Sequence, residues 1–394
     1  MYKRPHFQEL IKRLNQPRLF IQVITGPRQV GKTTVIQQVI DEIAIPAIYV
    51  SADAIANTDL TWLDQQWQNA RLKLKTNQYP ELIFVIDEIQ KIPNWSEIVK
   101  ANWDADKINN VSIKLVLLGS SRLLIQQGLT ESLTGRFETI YMGHWGFIEM
   151  KEAFGLTEEQ FVWFGGFPGA AILLEDEKRW NDYILNSLIE TTISKDILLI
   201  ERINKPILLK NLFELGCVFS GQILSFNKIL GQLHDAGNTT TLSHYLSLLD
   251  NVGLLSGLEK FSKGVIVQRS SSPKFQVQNT ALLSALSNYA FSDALVNFEI
   301  WGRHVESAIG AHLINAAKTG DVRLMYWRDG NFEVDYILEC KGKIIGLEVK
   351  TGNSKFTSGM NRFKSQFNPH KMYLVAENGL NWKEFIKINP VDLF

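Results

Sequence analysis

Residues 20–43 read FIQVITGPRQVGKTTVIQQVIDEI, and within them Gly26, Gly31, Lys32 and Thr33 fall in the spacing G-x-x-x-x-G-K-T. An apolar run, Phe20 to Ile24, precedes the glycines and a helix-periodic run follows them, so the stretch predicts strand, loop, helix. Glycines at these places let backbone N–H groups turn inward around phosphate oxygens, and the helix N-terminus adds its positive dipole. A lysine after the second glycine neutralises the outer phosphates, and the hydroxyl of Thr33 is a ligand for Mg²⁺. A chance match to all four fixed positions occurs about once in a hundred chains of this length. The candidate nucleotide contacts are therefore Gly26, Pro27, Arg28, Gln29, Val30, Gly31, Lys32, Thr33 and Thr34, with ATP and Mg²⁺ as the implied ligands.

Such a site needs an acid from a second strand, because the metal must be held from the side opposite the loop. ELIFVIDEIQK, residues 81–91, supplies it: an uninterrupted apolar run, Leu82 to Ile86, ends in Asp87 and Glu88. A run buried on both faces is what a central parallel strand looks like. Asp87 is the candidate metal holder, with Thr33, and Glu88 the candidate general base for the attacking water. A third run, IKLVLLGSS, ends in Gly119, Ser120 and Ser121, and Ser120 is the candidate sensor of the outer phosphate. Arg136, just before a further strand, is a candidate arginine finger for a neighbouring subunit, with Arg28 and Arg122 as rivals. AIPAIYVSAD and ETIYMGHW add two more strands, so five strands up to about residue 145 predict a parallel sheet covered on both faces.

The segments GPRQVGKTT, FVIDEIQK, LLGSSRLL, SLTGRFE and GGFPGA, in this order, resemble a large group of prokaryotic AAA+-like ATPases with a C-terminal domain of uncharacterised function. The resemblance spans nearly the whole chain. It implies an ASCE-type P-loop fold, with Lys32 and Thr33 at the nucleotide, Asp87 and Glu88 at metal and water, and a serine of the third strand as sensor. Where such relatives usually read PLSF.E, this chain has GHWGFIEM, Gly143 to Met150, a departure that bears on loop detail rather than on nucleotide binding.

The chain has 394 residues, 45% hydrophobic and 21% charged, enough for two or three domains with real cores. Lys+Arg 41 against Asp+Glu 41 argues against non-specific attraction to nucleic acid, leaving only a local patch. Cys217 and Cys340 match no metal or redox spacing and read as thiols in a reducing compartment. The N-terminus reads as an amphipathic helix without an apolar signal core, and no segment has the roughly 18 apolar residues needed to span a bilayer. These features predict a cytoplasmic protein with no membrane partner.

Beyond residue 145 a helical lid or linker is expected to residue 200, broken by the turn FGGFPGA. Residues 201–290 read as three helices, with cap-like Ser225 and Asn238 or Thr239, and a strand pair, a winged-helix pattern that the resemblance also implies. Its recognition-helix candidate, residues 238–251, holds no lysine or arginine, whereas the wing carries Lys260, Lys263, Arg269 and Lys274, which could grip a DNA backbone.

Residues 291–394 run helix, strand, strand, strand, helix, strand, with Lys341-Gly342-Lys343 as a hairpin turn. In FEVDYILECKGKIIGLEVKTG, Glu348 and Lys350 share one strand face and Asp335 lies across the hairpin from them. With Glu306 on the preceding helix, two or three carboxylates and a lysine could hold Mg²⁺ against a phosphodiester. The arrangement resembles the PD-(D/E)xK nuclease-like fold, with Glu333-Val334 in place of the usual proline. The plainer alternative is a solvated sheet face with cross-strand ion pairs.

The fold class expected is thus α/β: a P-loop NTPase parallel sheet over residues 1–145, the helical region 146–200, a winged-helix module over 201–290 and a restriction-endonuclease-like α/β domain over 291–394. Three functions fit: an ATPase acting on or with DNA, a nucleotide-switched scaffold or regulator of a protein partner, and an ATP-gated metal-dependent nuclease. Such ATPases commonly form homo-oligomeric rings, which a trans-acting Arg136 would require.

Overall fold

The apolar runs of the first third all become strands. In a computed structural model of the chain, which describes residues 1–53, 61–119, 129, 132–197, 203–232, 238–262 and 271–394, they form β1 (Ile21–Thr25), β2 (Ala47–Ser51), β3 (Leu82–Asp87), β4 (Ile113–Gly119) and β5 (Phe137–Tyr141). All pairings are parallel, in the order β2-β3-β4-β1-β5. β4 thus lies between the strand that ends at the glycine loop and the strand that ends at Asp87.

The strand period of two explains why the central runs are mostly apolar, since both faces of these strands are covered. Leu82, Phe84 and Ile86 of β3 face one core, where Leu63 and Trp67 of the helix Trp62–Thr76 and Trp95, Val99 and Trp103 of the helix Trp95–Ile108 are buried. Ile83 and Val85 face the other, with Phe7, Leu10 and Leu14 of the helix Pro5–Leu14 and Val35, Ile36 and Val39 of the helix Lys32–Glu42. Each large apolar side chain so buried contributes about 1.5–3 kcal/mol, which fixes the height of the strand ends against the helices.

The chain divides into two units, Met1–Met142 and Gly143–Phe394. The boundaries expected after residues 200 and 290 fall inside the second unit. Its helices Pro206–Val218, Phe226–Gln232 and Thr239–Asn251 precede an antiparallel pair, β6 (Leu255–Lys260) and β7 (Lys274–Val277). Asn238 caps the third helix by accepting from Thr241 N.

After the long helix Phe298–Lys318 come β8 (Arg323–Asp329), β9 (Phe332–Cys340) and β10 (Lys343–Val349), then the helix Ser358–Phe367 and β11 (Lys371–Val375). Lys341 and Gly342 both have positive φ, as a two-residue hairpin turn of this twist requires. β6 pairs in parallel with β8, so one sheet runs β11-β10-β9-β8-β6-β7. The strand pair expected to form a wing is continuous with the sheet of the last hundred residues, and this places β7 beside the long helix. Cys217 and Cys340 are both free thiols.

Candidate functional site

The glycine loop forms where β1 gives way to the helix Lys32–Glu42. Gly31, the residue before that helix, has φ 87, a left-handed conformation that a side chain disfavours. A Cβ on Gly26 would sit 2.0 Å from the carbonyl oxygen of Met142, so only glycine lets the loop start this close to the chain after β5. Lys32 is buried and its Nζ donates to the carbonyls of Gly26 and Pro27, at 2.9 and 2.7 Å, folding the ammonium along the inside of the loop.

Thr33 and Asp87 come together across β4: the Thr33 hydroxyl donates to Asp87 Oδ2 at 2.9 Å. The other carboxylate oxygen of Asp87 accepts from Glu88 N at 2.8 Å. These are hard oxygen donors on one side of the loop, the set that Mg²⁺ takes beside phosphates. Glu88 itself adopts φ 53, a left-handed backbone that costs a non-glycine residue about 1–3 kcal/mol and turns it out of the strand direction. Its carboxyl takes a hydrogen bond from the Gln90 amide. Burial raises the pKa of Glu88, Lys32 and Arg28 pull it back, and Asp87 pushes it further up; the balance is upward.

One residue here went unnoticed in the sequence. Tyr49 of β2 donates its phenol to the same Asp87 oxygen at 2.6 Å. Burial first, then Asp87, raise its pKa, so the phenol stays a donor. In sequence Tyr49 is one aromatic residue in an apolar strand; only the pairing of β2 with β3 aims it at Asp87.

Arg136 is placed differently. It precedes β5, and its carbonyl accepts from Ile21 N at the start of β1, whereas the glycine loop follows the end of that strand. The five residues of β1 put it roughly 15 Å from the loop. Its guanidinium makes two bonds of 2.9 Å to Asp104. Any contact of Arg136 with a nucleotide is thus to one held by another copy. Ser120 and Arg122 lie outside the described residues.

The second cluster brings Asp335, Glu348 and Lys350 of the hairpin together with Glu306 of the long helix. Lys350 Nζ is 3.0 Å from Glu348 and 3.8 Å from Asp335, and Val349 N donates to Asp335 Oδ2 at 2.9 Å. Two further residues join them, Glu333 and Lys274. The expectation that Lys274 grips a DNA backbone is corrected: its side chain is 0% exposed, because it is covered by Glu306 of the long helix and by Asp335 and Tyr336 of β9 rather than standing on a free wing. Its Nζ donates to Asp335 Oδ1 at 3.1 Å, to the Asp335 carbonyl at 3.3 Å and to Glu306 at 3.3 Å, lies 3.9 Å from Glu333, and sits 4.8 Å from the ring centre of Tyr336.

Burial opposes the charge of both Lys274 and Asp335, but each keeps the other ionised: the lysine ends above its ordinary value and the aspartate below. Glu306 and Glu348 are pushed up to about 7, by burial first and by Asp335 second. Among the described residues no group of three or more His, Cys, Asp or Glu side chains is placed to hold a metal ion. No described helix is long and apolar enough to cross a membrane.

Comparison with known proteins gives three matched regions. Residues 157–293 match a domain of unknown function, DUF8612, and residues 301–392 another, DUF4143. An uncharacterized protein of Haemophilus influenzae is 23% identical over 359 residues, 84% of this chain and 82% of the relative. The uncharacterized protein Rv2008c of Mycobacterium tuberculosis is 25% identical over 334 residues, 84% of this chain and 70% of the relative. Residues 20–151 match the AAA domain family, so the loop, the acid pair and the parallel sheet lie within a region similar to AAA-type ATPase domains.

Proposed function

We propose that the chain binds ATP with Mg²⁺ on the loop Gly26–Thr34 and hydrolyses it to ADP and phosphate at the ends of β1 and β3. The observation that carries this reading is the 2.9 Å bond from Thr33 to Asp87, which joins two motifs 54 residues apart in the chain. The phosphates lie against the backbone N–H groups of the loop and the start of the helix Lys32–Glu42, and Lys32 exchanges its two loop carbonyls for phosphate oxygens. Mg²⁺, when bound, neutralises phosphate charge, and Thr33 and Asp87 are the residues that hold it. Glu88 takes the proton of the attacking water as its oxygen bonds to the outer phosphorus and the bond to the ADP oxygen breaks.

A fluorescent ATP analogue is expected to bind the full chain in Mg²⁺. Lys32→Ala removes charge-assisted bonds of about 1.5–3 kcal/mol and is expected to weaken binding about 10- to 100-fold. Equal binding by both proteins contradicts the assignment of the loop.

Tyr49 positions Asp87. Tyr49→Phe deletes one hydrogen bond to a charged acceptor on a partly exposed site, and is expected to raise the Mg²⁺ concentration giving half-maximal turnover several-fold while leaving the maximal rate near that of the parent. A Mg²⁺ titration of phosphate release checks this; an unchanged half-point removes Tyr49 from the metal's surroundings.

For the second unit, three helices followed by β6 and β7 support a winged-helix module, and the order from the helix Phe298–Lys318 to β11 supports a nuclease-like fold. Its role is better read as a nucleotide-switched contact with a protein partner than as a DNA grip. The helix Thr239–Asn251 carries no lysine or arginine, and of the four basic residues read in the wing Lys274 is buried, while Lys263 and Arg269 lie outside the described residues. A trans-acting Arg136 would in addition need a homo-oligomer.

A further inference from the structure

The carboxylates on β9, β10 and the long helix sit in the order of a metal-dependent nuclease, yet a cation of the protein's own stands among them. We infer that Lys274 is a built-in counter-cation that occupies the metal position of this cluster, making it a metal-independent structural centre of the second unit. The inference does not depend on the nucleotide chemistry of the first unit.

Three observations carry it. First, the ammonium bridges two of the three carboxylates that could hold a divalent ion: Glu306 on the helix Phe298–Lys318 and Asp335 on β9, at 3.3 and 3.1 Å. Second, Lys274 is 0% exposed, and its backbone is held by two partners, since Lys274 pairs with Leu258 of β6 and bridges to Ile223. A side chain held this way does not swing aside without β7 leaving the sheet. Third, Glu348 is 5% exposed and its Oε2 has no hydrogen-bond partner, although Oε1 is taken by Lys350. An orphaned carboxylate oxygen in such a place is what remains of a coordination sphere when one position is filled by an ammonium that cannot reach every ligand. A divalent ion placed between Glu306 and Asp335 would share its position with the ammonium, and the two cannot occupy it together.

The chemistry that follows is specific. Hydroxide generation at a metal, which phosphodiester cleavage at a cluster of this type requires, is blocked while Lys274 stays in place. The carboxylates instead tie β7 to β9 and to the helix Phe298–Lys318 through charge.

Mn²⁺ binding, read by the loss of the free-ion electron paramagnetic resonance signal, tests this on the full chain without nucleotide. Asp87→Asn is carried in every protein so that the first unit does not contribute. The chain with Lys274 is expected to bind no ion that Glu348→Gln removes. Lys274→Ala and Lys274→Met are expected to gain one Mn²⁺ per chain, at least about tenfold tighter, and to lose it again on adding Glu348→Gln. A Glu348-dependent ion in the chain that keeps Lys274 overturns the inference, whether or not the lysine variants fold. So does a folded Lys274→Met chain, shown by its circular dichroism and melting, that gains none.

Discussion

Glu88→Gln is expected to lower ATP turnover by about 10²–10⁴-fold while nucleotide binding stays within a few-fold of the parent. The amide keeps the size and the polarity of the side chain and removes only its ability to take a proton from water. The backbone that aims it, at φ 53, is set by the turn after β3 and does not depend on the charge. The same group predicts a pH profile. A general base works deprotonated, and the Glu88 carboxyl is raised from its ordinary value by burial, with Asp87 adding to it against Lys32 and Arg28. Turnover is therefore expected to rise with pH through a midpoint above the ordinary carboxylate range, and this acid limb should vanish in Glu88→Gln. A variant that hydrolyses ATP at the parent rate assigns the base elsewhere.

Asp335→Ala is expected to destabilise the second unit by about 3–5 kcal/mol, the loss seen when one partner of a buried ion pair is removed. Three things fail together. Lys274 loses its nearest anion, Lys350 loses one of two carboxylates, and Val349 N loses its acceptor. Glu306 and Glu333 still face the ammonium, so the loss should lie toward the lower end of that range. Asp335→Asn keeps the acceptor for Val349 N and isolates the charge, and should cost less. Urea unfolding gives the total, and hydrogen exchange at the amides of β9 and β10 shows where it falls. Unchanged exchange in these strands would mean that Lys274 is satisfied without Asp335.

The parts of this protein that were readable in its sequence are those whose chemistry needs contiguous residues. A loop of the G-x-x-x-x-G-K-T kind must be a single run, so Gly26 to Thr34 is legible, and three of the five strands are the plainest because β1, β3 and β4 are buried on both faces and therefore mostly apolar. The hairpin of β9 and β10 is legible from its connection: Lys341-Gly342-Lys343 reads as a turn, and the structure makes it with Lys341 and Gly342 alone.

What escaped notice depends on strand order. Tyr49 matters only because β2 lies beside β3, and Arg136 lies away from the loop only because β5 runs parallel to β1. Lys274 follows a serine-rich stretch and reads as an exposed wing residue; the pairing of β6 with β8, set by two residues on each strand, moves it into the interior. No periodicity in one chain segment reports a contact made by another.

The central claim is that Lys32, Thr33, Asp87 and Glu88 form one ATP-hydrolysing site. Phosphate release from ATP by the full chain, with Mg²⁺ and after its removal by EDTA, tests it most directly beside the same assay on Lys32→Ala. The site predicts steady turnover that both EDTA and Lys32→Ala abolish; phosphate release that survives either, or none from the parent chain in Mg²⁺, would contradict it.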